Sequence, residues 1–230
     1  MFRIRTRAVW QSAVPRVVRQ LAHRPGHFPR ILAGVNPERD VLLLDVDGVL
    51  VIPPDWFGVK LLREHPQEAR AFFEGAFLPA TRGETDLLSH VPAFLNATGR
   101  PGTPEGFVRE WLDYENHPNV PMLAAVRELR GAGWRAFLAT NQERNRVNHL
   151  LREVGLGEVV DGEVASCTVG HRKPDAAYYG AVAAHLGVAP ERIVFWDDSA
   201  ENVEAARAAG WQAHLFTGVE DFRRVMTAGG

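Results

Sequence analysis

Cysteine is almost absent from this chain, since Cys167 is the only one among 230 residues. An internal disulfide framework and a zinc site built from several cysteines are therefore excluded. No apolar run approaches the roughly 18 residues that a membrane-spanning helix needs. The formal net charge of −2 gives no general attraction to nucleic acid or to anionic lipid. We expect a cytoplasmic protein that has no transmembrane segment and does not bind nucleic acid.

Lysine is nearly as scarce as cysteine. Of the 26 basic residues, only Lys60 and Lys173 are lysines, and arginine occupies every other basic position. The lysine ammonium is a compact point charge, whereas the arginine guanidinium is a planar fork with five donors. A position that keeps lysine in such a chain is a candidate for a contact that requires the smaller group.

Acidic residues are missing from residues 1–37, which form a basic N-terminal extension. The extension carries seven arginines: Arg3, Arg5, Arg7, Arg16, Arg19, Arg24 and Arg30. Arginine-rich, acid-poor segments are typical of organellar transit peptides and of amphipathic arms that bind a membrane surface or a partner. Prolines interrupt any long helix here. An extension that packs on the domain without a function of its own is a third interpretation, and the sequence leaves all three open.

The first strong structural signal is the apolar run 41–44, which leads directly into Asp45 and Asp47. A continuous run of this kind is typical of a parallel strand that is buried on both faces. Open α/β sheets place their ligands at the carboxyl ends of such strands. Buried carboxylates are costly unless something pairs with them, and Mg²⁺ is a cation that suits two close carboxylates.

The rest of the chain predicts a doubly wound α/β fold with a helical insertion. After the first strand, helices are predicted at 64–77, 87–97 and 104–115, with no strand signal between them. Strands at 135–139, 164–167, 192–196 and 212–216 then alternate with helices at 122–130, 144–154, 174–186 and 200–209. This alternation is typical of a parallel sheet with helices on both faces. We predict a core formed by residues 38–52 and 121–230, and an inserted helical domain at residues 53–120.

Polar side chains also follow three later strands. Thr140 and Asn141 offer a hydroxyl and an amide to phosphate oxygens. Lys173 precedes Pro174, and Asp197 lies next to Asp198. Each feature alone has an ordinary explanation, namely a helix cap, a solvated loop or a surface turn. Their coincidence at successive strand ends indicates a shared site.

These four segments, in this order, resemble the four motifs of the haloacid dehalogenase-like hydrolase superfamily. The resemblance spans residues 40–217, and the helical insertion is similar to the first type of cap in that superfamily. It implies a Rossmann-like core and a magnesium-dependent phosphatase that hydrolyses a small phosphorylated metabolite, such as a sugar phosphate, through an aspartyl-phosphate. Members that act as dehalogenases lack an acid at the position of Asp47, because halide leaves without a proton.

The resemblance also implies a role for each motif residue. Asp45 would be the nucleophile, and Asp47 would protonate the leaving group and then activate water. Mg²⁺ would be held by the Asp45 carboxylate, the Asp47 backbone carbonyl and Asp198, with Asp197 as an auxiliary ligand. The expected phosphate-binding residues are Thr140, Asn141 and Lys173.

Several alternatives stay open at this point. The protein could instead be a phosphomutase, or a non-catalytic binding protein that uses its basic extension. Trp56 and Phe57 could line the substrate pocket, although aromatic residues at helical spacing more often belong to a core. The sequence leaves open whether the protein is a monomer or a homodimer, and which phosphorylated compound it takes.

Overall fold

The architecture is a five-stranded parallel sheet in the order β3-β2-β1-β4-β5. The computed structural model describes residues 40–227, so the basic extension of residues 1–37 lies outside the described part. The strands are β1 (Val41–Leu44), β2 (Arg135–Leu138), β3 (Gly162–Glu163), β4 (Ile193–Asp197) and β5 (Gln212–Leu215). This topology agrees with the predicted doubly wound fold.

The central position of β1 explains its apolar run. All four of its residues are fully buried, and the strand pairs in parallel with both β2 and β4. Leu44, the last residue of β1, is in register with Leu138 and Trp196. The residues that follow these three strands therefore meet at the same edge of the sheet.

Eleven α-helices lie in the described part of the chain. Five form the insertion after β1: α1 (Phe57–Glu64), α2 (Pro66–Ala71), α3 (Phe77–Thr81), α4 (Val91–Thr98) and α5 (Pro104–Tyr114). Six accompany the sheet: α6 (Val120–Gly131), α7 (Arg144–Arg152), α8 (Ser166–Val169), α9 (Ala176–Leu186), α10 (Ala200–Ala208) and α11 (Val219–Thr227). None of these described helices has the length and apolar character needed to cross a lipid bilayer.

Two apolar clusters cover the two faces of the sheet. On one face, Leu42 and Leu44 pack with residues of α6 and α11. On the other face, Val41 and Leu43 pack with residues of α9 and α10. The alternation of side chains along β1 thus supplies both clusters from a single strand.

The helices α1–α5 form a separate helical block between β1 and β2, with its own aromatic core. The Phe57 ring is at its centre, with ring centroids at 5.7 Å from Phe107, 5.8 Å from Trp111 and 5.5 Å from Tyr114. Phe57 is fully buried and Trp111 is 3% exposed. This cluster contains no residue of the sheet, so the block is stabilised largely by its own packing.

Two connecting segments join the helical block to the sheet, and they are hydrogen-bonded to each other. The Ile52 amide donates to the His117 carbonyl (2.8 Å), and the Asn119 amide donates to the Leu50 carbonyl (2.8 Å). A further contact lies away from these segments, where the Ser166 hydroxyl donates to the Thr81 carbonyl (2.5 Å). The block therefore contacts the sheet domain outside the connecting segments as well.

Two predicted elements differ from the structure. The segment 164–167 was expected to be a strand, but β3 ends at Glu163 and Ser166 begins the short helix α8. The reason is that β3 is an edge strand, paired only with β2 over two residues. The predicted helix 64–77 is broken at His65, because Pro66 disfavours helical backbone in the residue before it.

The aromatic core of the helical block provides a stability test. Replacing Phe57 with Ala should lower the free energy of unfolding by about 3–5 kcal/mol, because it removes a fully buried ring and leaves a cavity. Val120→Ala is the control: the residue is 47% exposed, and the free energy of unfolding should change by no more than about 0.5 kcal/mol. Urea unfolding measures both, and equal effects would contradict the central role of Phe57.

Candidate active site

Asp45 lies at the carboxyl end of β1 and is 6% exposed. One of its carboxylate oxygens, Oδ1, lies 3.0 Å from the Lys173 ammonium and accepts a hydrogen bond from the Val46 amide at 2.7 Å. Burial raises the pKa of Asp45 to about 7, against the opposing effect of Lys173. A bound cation would favour the ionised carboxylate at neutral pH.

Lys173 connects two of the acidic strand ends. Its Nζ lies 2.6 Å from Asp197 Oδ2 as well as 3.0 Å from Asp45 Oδ1, and the side chain is buried. Burial by itself lowers the pKa of Lys173, but the carboxylates of Asp197 and Asp45 outweigh it, so the pKa lies above its ordinary value. Lys173 therefore carries a fixed positive charge among buried carboxylates.

Asn141 holds the backbone of Lys173 in place. Its side-chain amide donates to the Lys173 carbonyl (2.8 Å) and its side-chain oxygen accepts from the Lys173 amide (2.9 Å). Both ends of the Asn141 side chain are thus engaged with the loop that carries Lys173. The expected contact of Asn141 with phosphate would then fall to its backbone rather than to its side chain.

Asp197 is the last residue of β4, Asp198 follows it, and the two differ in their surroundings. Asp197 is fully buried and accepts hydrogen bonds from the Ser199 amide (2.8 Å) and the Asn202 side chain (3.0 Å). Ligand oxygens of Asp45, Asp197 and Asp198 all lie within 4.8 Å of one another. Three carboxylates so close, with one ammonium beside them, suit a hard cation such as Mg²⁺.

Gly48 allows Asp198 to approach the loop after β1. A Cβ at this position would lie 2.3 Å from Asp198 Oδ2, and the backbone has φ of +80°, which side-chain-bearing residues rarely adopt. The glycine that follows Asp47 therefore leaves the space in which the Asp198 carboxylate lies.

Thr140 follows β2 at the same edge of the sheet. The residue is 1% exposed, and its Oγ1 has no hydrogen-bond partner among the described residues. A buried hydroxyl without a partner is costly, so a ligand oxygen at this position would compensate it. The hydroxyl is thus suited to a phosphoryl oxygen.

Asp47 lies beside the cluster but makes different contacts. Its Oδ1 is 3.0 Å from Arg146 Nη2, and its Oδ2 accepts from Gln142 Nε2 at 2.9 Å. Burial raises the pKa of Asp47 well above its ordinary value, although the Arg146 guanidinium lowers it. A carboxyl group in this state can hold a proton near neutral pH and release it to a reacting group.

The sequence prediction missed Arg146, Gln142 and Glu115. Arg146 is 2% exposed, and its second guanidinium nitrogen, Nη1, lies 2.9 Å from Glu115 Oε2. Burial raises the pKa of Glu115 to about 7, against the opposing effect of Arg146. No local pattern could have found these residues, since Arg146 is 99 positions from Asp47 along the chain. Only their proximity to Asp47 in the folded structure identifies them.

The two predicted pocket aromatics belong to the helical block. The Phe57 ring is buried in the aromatic core of the helical block, and Trp56 packs partly buried against that same core. The structure brings Asp45, Asp197, Asp198 and Lys173 together at the carboxyl edge of the sheet, and Thr140 follows the neighbouring strand β2.

Comparison with known proteins gives the site a context. Residues 40–210 match the sequence profile of a family described as haloacid dehalogenase-like hydrolase. A phosphoglycolate phosphatase from Cereibacter sphaeroides is 37% identical over 94 residues, covering 41% of this chain and 42% of the relative. A sesquiterpene phosphatase from Aspergillus oryzae is 36% identical over 94 residues, covering 40% of this chain and 47% of the relative. These alignments span less than half of each relative.

A solved structure gives a longer match at lower identity. The magnesium complex of an enzyme of the same family from Bacteroides thetaiotaomicron superposes with a TM-score of 0.66. The match covers 78% of this chain and 93% of that chain, at 18% sequence identity. At this identity the likeness establishes the fold and nothing finer.

The contact between Gly48 and Asp198 gives a test for metal binding. Gly48→Ala should abolish the stabilisation by Mg²⁺, because the new Cβ would displace the Asp198 carboxylate. In the unaltered protein, Mg²⁺ at about 100 times its Kd should add about 2.7 kcal/mol to the free energy of unfolding. Thermal unfolding with and without Mg²⁺ measures the difference.

Gly99→Ala is the matched control for this test. Gly99 also has a positive φ, +66°, but a Cβ there would meet nothing within 4 Å. The control variant should therefore lose some stability through backbone strain and still respond fully to Mg²⁺. An unchanged Mg²⁺ response in Gly48→Ala would show that Asp198 does not hold the metal.

Proposed function

Because the chain belongs to the haloacid dehalogenase-like hydrolase family, we propose that it is a magnesium-dependent phosphatase acting on a small phosphorylated metabolite. The observation that carries this proposal is Asp47, a second carboxyl group in contact with Arg146 and Gln142 beside the acidic cluster. Displacement of an alkoxide from phosphorus requires a proton donor, whereas displacement of a halide does not. The names of the two phosphatase relatives support the same reaction class.

In the first half of the proposed reaction, Asp45 is the nucleophile. A carboxylate oxygen of Asp45 forms a bond to phosphorus, and the bond between phosphorus and the ester oxygen breaks. The electron pair of that bond goes to the leaving oxygen, which takes the proton from the Asp47 carboxyl group. The products of this half are the free alcohol, an aspartyl-phosphate at Asp45 and an ionised Asp47.

In the second half, Asp47 acts as the base. It takes a proton from a water molecule whose oxygen attacks phosphorus, and the bond between phosphorus and Asp45 breaks. Inorganic phosphate leaves, Asp45 is again a carboxylate, and Asp47 again holds a proton. Two carboxyl groups of unequal surroundings therefore divide bond formation and proton transfer between them.

The remaining residues hold the phosphoryl group. The Thr140 hydroxyl donates to one phosphoryl oxygen, and the Lys173 ammonium neutralises charge while Asp197 and Asn141 keep it in place. Asp45, Asp198 and the Asp47 backbone carbonyl would hold Mg²⁺, with Asp197 as the auxiliary ligand. When bound, Mg²⁺ supplies Lewis-acid stabilisation of charge on the phosphoryl oxygens.

We further propose that residues 53–120 act as a cap over the site. The helical block has its own aromatic core and is joined to the sheet domain through paired connecting segments. It also touches the sheet domain where Ser166 donates to Thr81. A block joined in this way can exclude bulk water from the phosphoryl group.

The substrate is proposed as a class only, a small phosphomonoester such as a sugar phosphate. The names of the two relatives differ in the compound that they mention, phosphoglycolate in one and a sesquiterpene in the other. A panel of phosphorylated sugars, nucleotides and organic acids, assayed by phosphate release, would rank the candidates by kcat/KM.

The role of Asp45 is tested by turnover of 4-nitrophenyl phosphate with Mg²⁺. We expect activity in the native protein and a loss to the background rate in Asp45→Asn, because an amide oxygen is a poor nucleophile. Asp161→Asn is the control: Asp161 pairs with Arg130 and accepts from the Ala136 amide at the start of β2, away from the site. Asp161→Asn should retain activity. Full activity in Asp45→Asn, or no activity in the native protein, would contradict the proposal.

A further inference from the structure

A buried ion-pair network of Asp47, Arg146 and Glu115 connects the site to the helical block. Arg146 lies between two carboxylates, with Nη2 at 3.0 Å from Asp47 Oδ1 and Nη1 at 2.9 Å from Glu115 Oε2. The side chains of Arg146 and Glu115 are 2% and 0% exposed. Neither residue belongs to the acidic cluster around Lys173, and the proposed reaction assigns no role to either.

Hydrogen bonds between carboxylates and backbone amides hold this ion-pair network in place on both sides. On the sheet side, Glu143 caps α7 by accepting from the amides of Asn145 (2.7 Å) and Arg146 (2.6 Å). On the block side, Glu115 follows α5, and its Oε1 accepts from the Phe57 amide at 2.6 Å. Glu115 therefore joins the start of α1 to the end of α5, next to both connecting segments.

A guanidinium is the group that this geometry requires. Its planar fork can donate to two carboxylates in different directions, whereas an ammonium is a single point charge. Burying such an ion pair costs desolvation free energy that an apolar contact of similar volume would not incur. A purely structural contact between α7 and the block would not need it.

We propose that Arg146 and Glu115 are positioning residues that orient the Asp47 carboxyl toward the leaving oxygen. Arg146 and Gln142 hold one oxygen each of Asp47, and Glu115 fixes Arg146. Because Glu115 also binds the Phe57 amide, the orientation of Asp47 depends on the placement of the helical block. This inference rests on the proposed phosphatase reaction and adds to it the residues that aim its proton donor.

Leaving-group dependence distinguishes positioning from general structural support. An alkyl phosphate needs a proton on its leaving oxygen, whereas 4-nitrophenolate is stable enough to leave without one. The ratio kcat/KM reports steps up to departure of the leaving group, so it does not include hydrolysis of the aspartyl-phosphate. A misdirected Asp47 should therefore impair the alkyl substrate selectively.

The experiment compares Arg146→Lys, Arg146→Met and Glu115→Gln on 4-nitrophenyl phosphate and on the best alkyl phosphate of the substrate panel. For the Arg146 variants we expect kcat/KM to fall about a hundredfold on the alkyl phosphate and less than about fivefold on the aryl phosphate. Glu115→Gln keeps its volume and should show the same selectivity at about tenfold. Asp47→Asn gives the reference pattern for a lost proton donor.

Two controls accompany the variants. Arg192→Met removes another salt bridge, between Arg192 and the buried Asp40, at the opposite end of the strands, and should leave the alkyl-to-aryl ratio unchanged. The inhibition constant of inorganic phosphate should stay within about threefold in every Arg146 and Glu115 variant, because their substitution leaves the phosphoryl contacts in place. Thermal unfolding identifies any variant that does not fold.

The outcomes separate this inference from the proposed function. An equal loss on both substrates in Arg146→Lys and Glu115→Gln would overturn the positioning role, since it would indicate a general structural effect. An unchanged alkyl-to-aryl ratio in those two variants would overturn it as well, even if Arg146→Met does not fold. Absence of turnover by the native protein on every phosphate would instead refute the proposed function.

Discussion

The desolvation of charge at the carboxyl edge of the sheet is the constraint on which the rest of the site depends. Asp45 and Asp197 lie at the ends of buried neighbouring strands, where isolated carboxylates would be strongly unfavourable. Lys173 compensates both, with its ammonium at 3.0 Å and 2.6 Å from their oxygens. Because one positive charge faces three clustered carboxylates, the arrangement still favours a further cation. The loop of Lys173 and its clamp by Asn141 follow from this requirement.

The same constraint acts a second time, at the border of the helical block. Asp47 and Glu115 are paired through Arg146, which is nearly fully buried. Here the charges lie between α7 and the segment that returns from the block, so their pairing also ties the block to the sheet domain. Lys173 and Arg146, both buried, therefore supply the positive charge that faces the desolvated acidic groups at these two places. Lys173 belongs to the proposed phosphoryl site, and Arg146 to the proposed positioning of Asp47.

The motif residues could be predicted from the sequence more readily than the pocket residues and the edge strand, for physical reasons. Asp45, Asp47, Thr140 and Asp198 were recognisable because they follow strands, and parallel strands place their carboxyl ends at one edge of the sheet. Lys173 was recognisable by the scarcity of lysine, although the structure places it after the short helix α8 rather than after a strand. Trp56 and Phe57 were harder to assign, because the same aromatic pattern serves a pocket or a core. The short edge strand Gly162–Glu163 was misplaced, because pairing on one side only leaves little local pattern. The predicted domain boundaries and the roles of the site residues remain proposals.

The sequence by itself determined the alternation of strands and helices, the helical insertion, the acidic and hydroxyl side chains at the strand ends, and the rare lysine of the site. These are local properties, because a continuous apolar run that indicates a buried strand, and the polar residues directly after it, are recognisable from consecutive positions in the sequence. Only the tertiary structure decided that Arg146 joins Asp47 to Glu115 and that Gly48 makes room for Asp198. The physical reason is that these contacts join residues far apart in the chain, and their partners are chosen by packing rather than by sequence pattern.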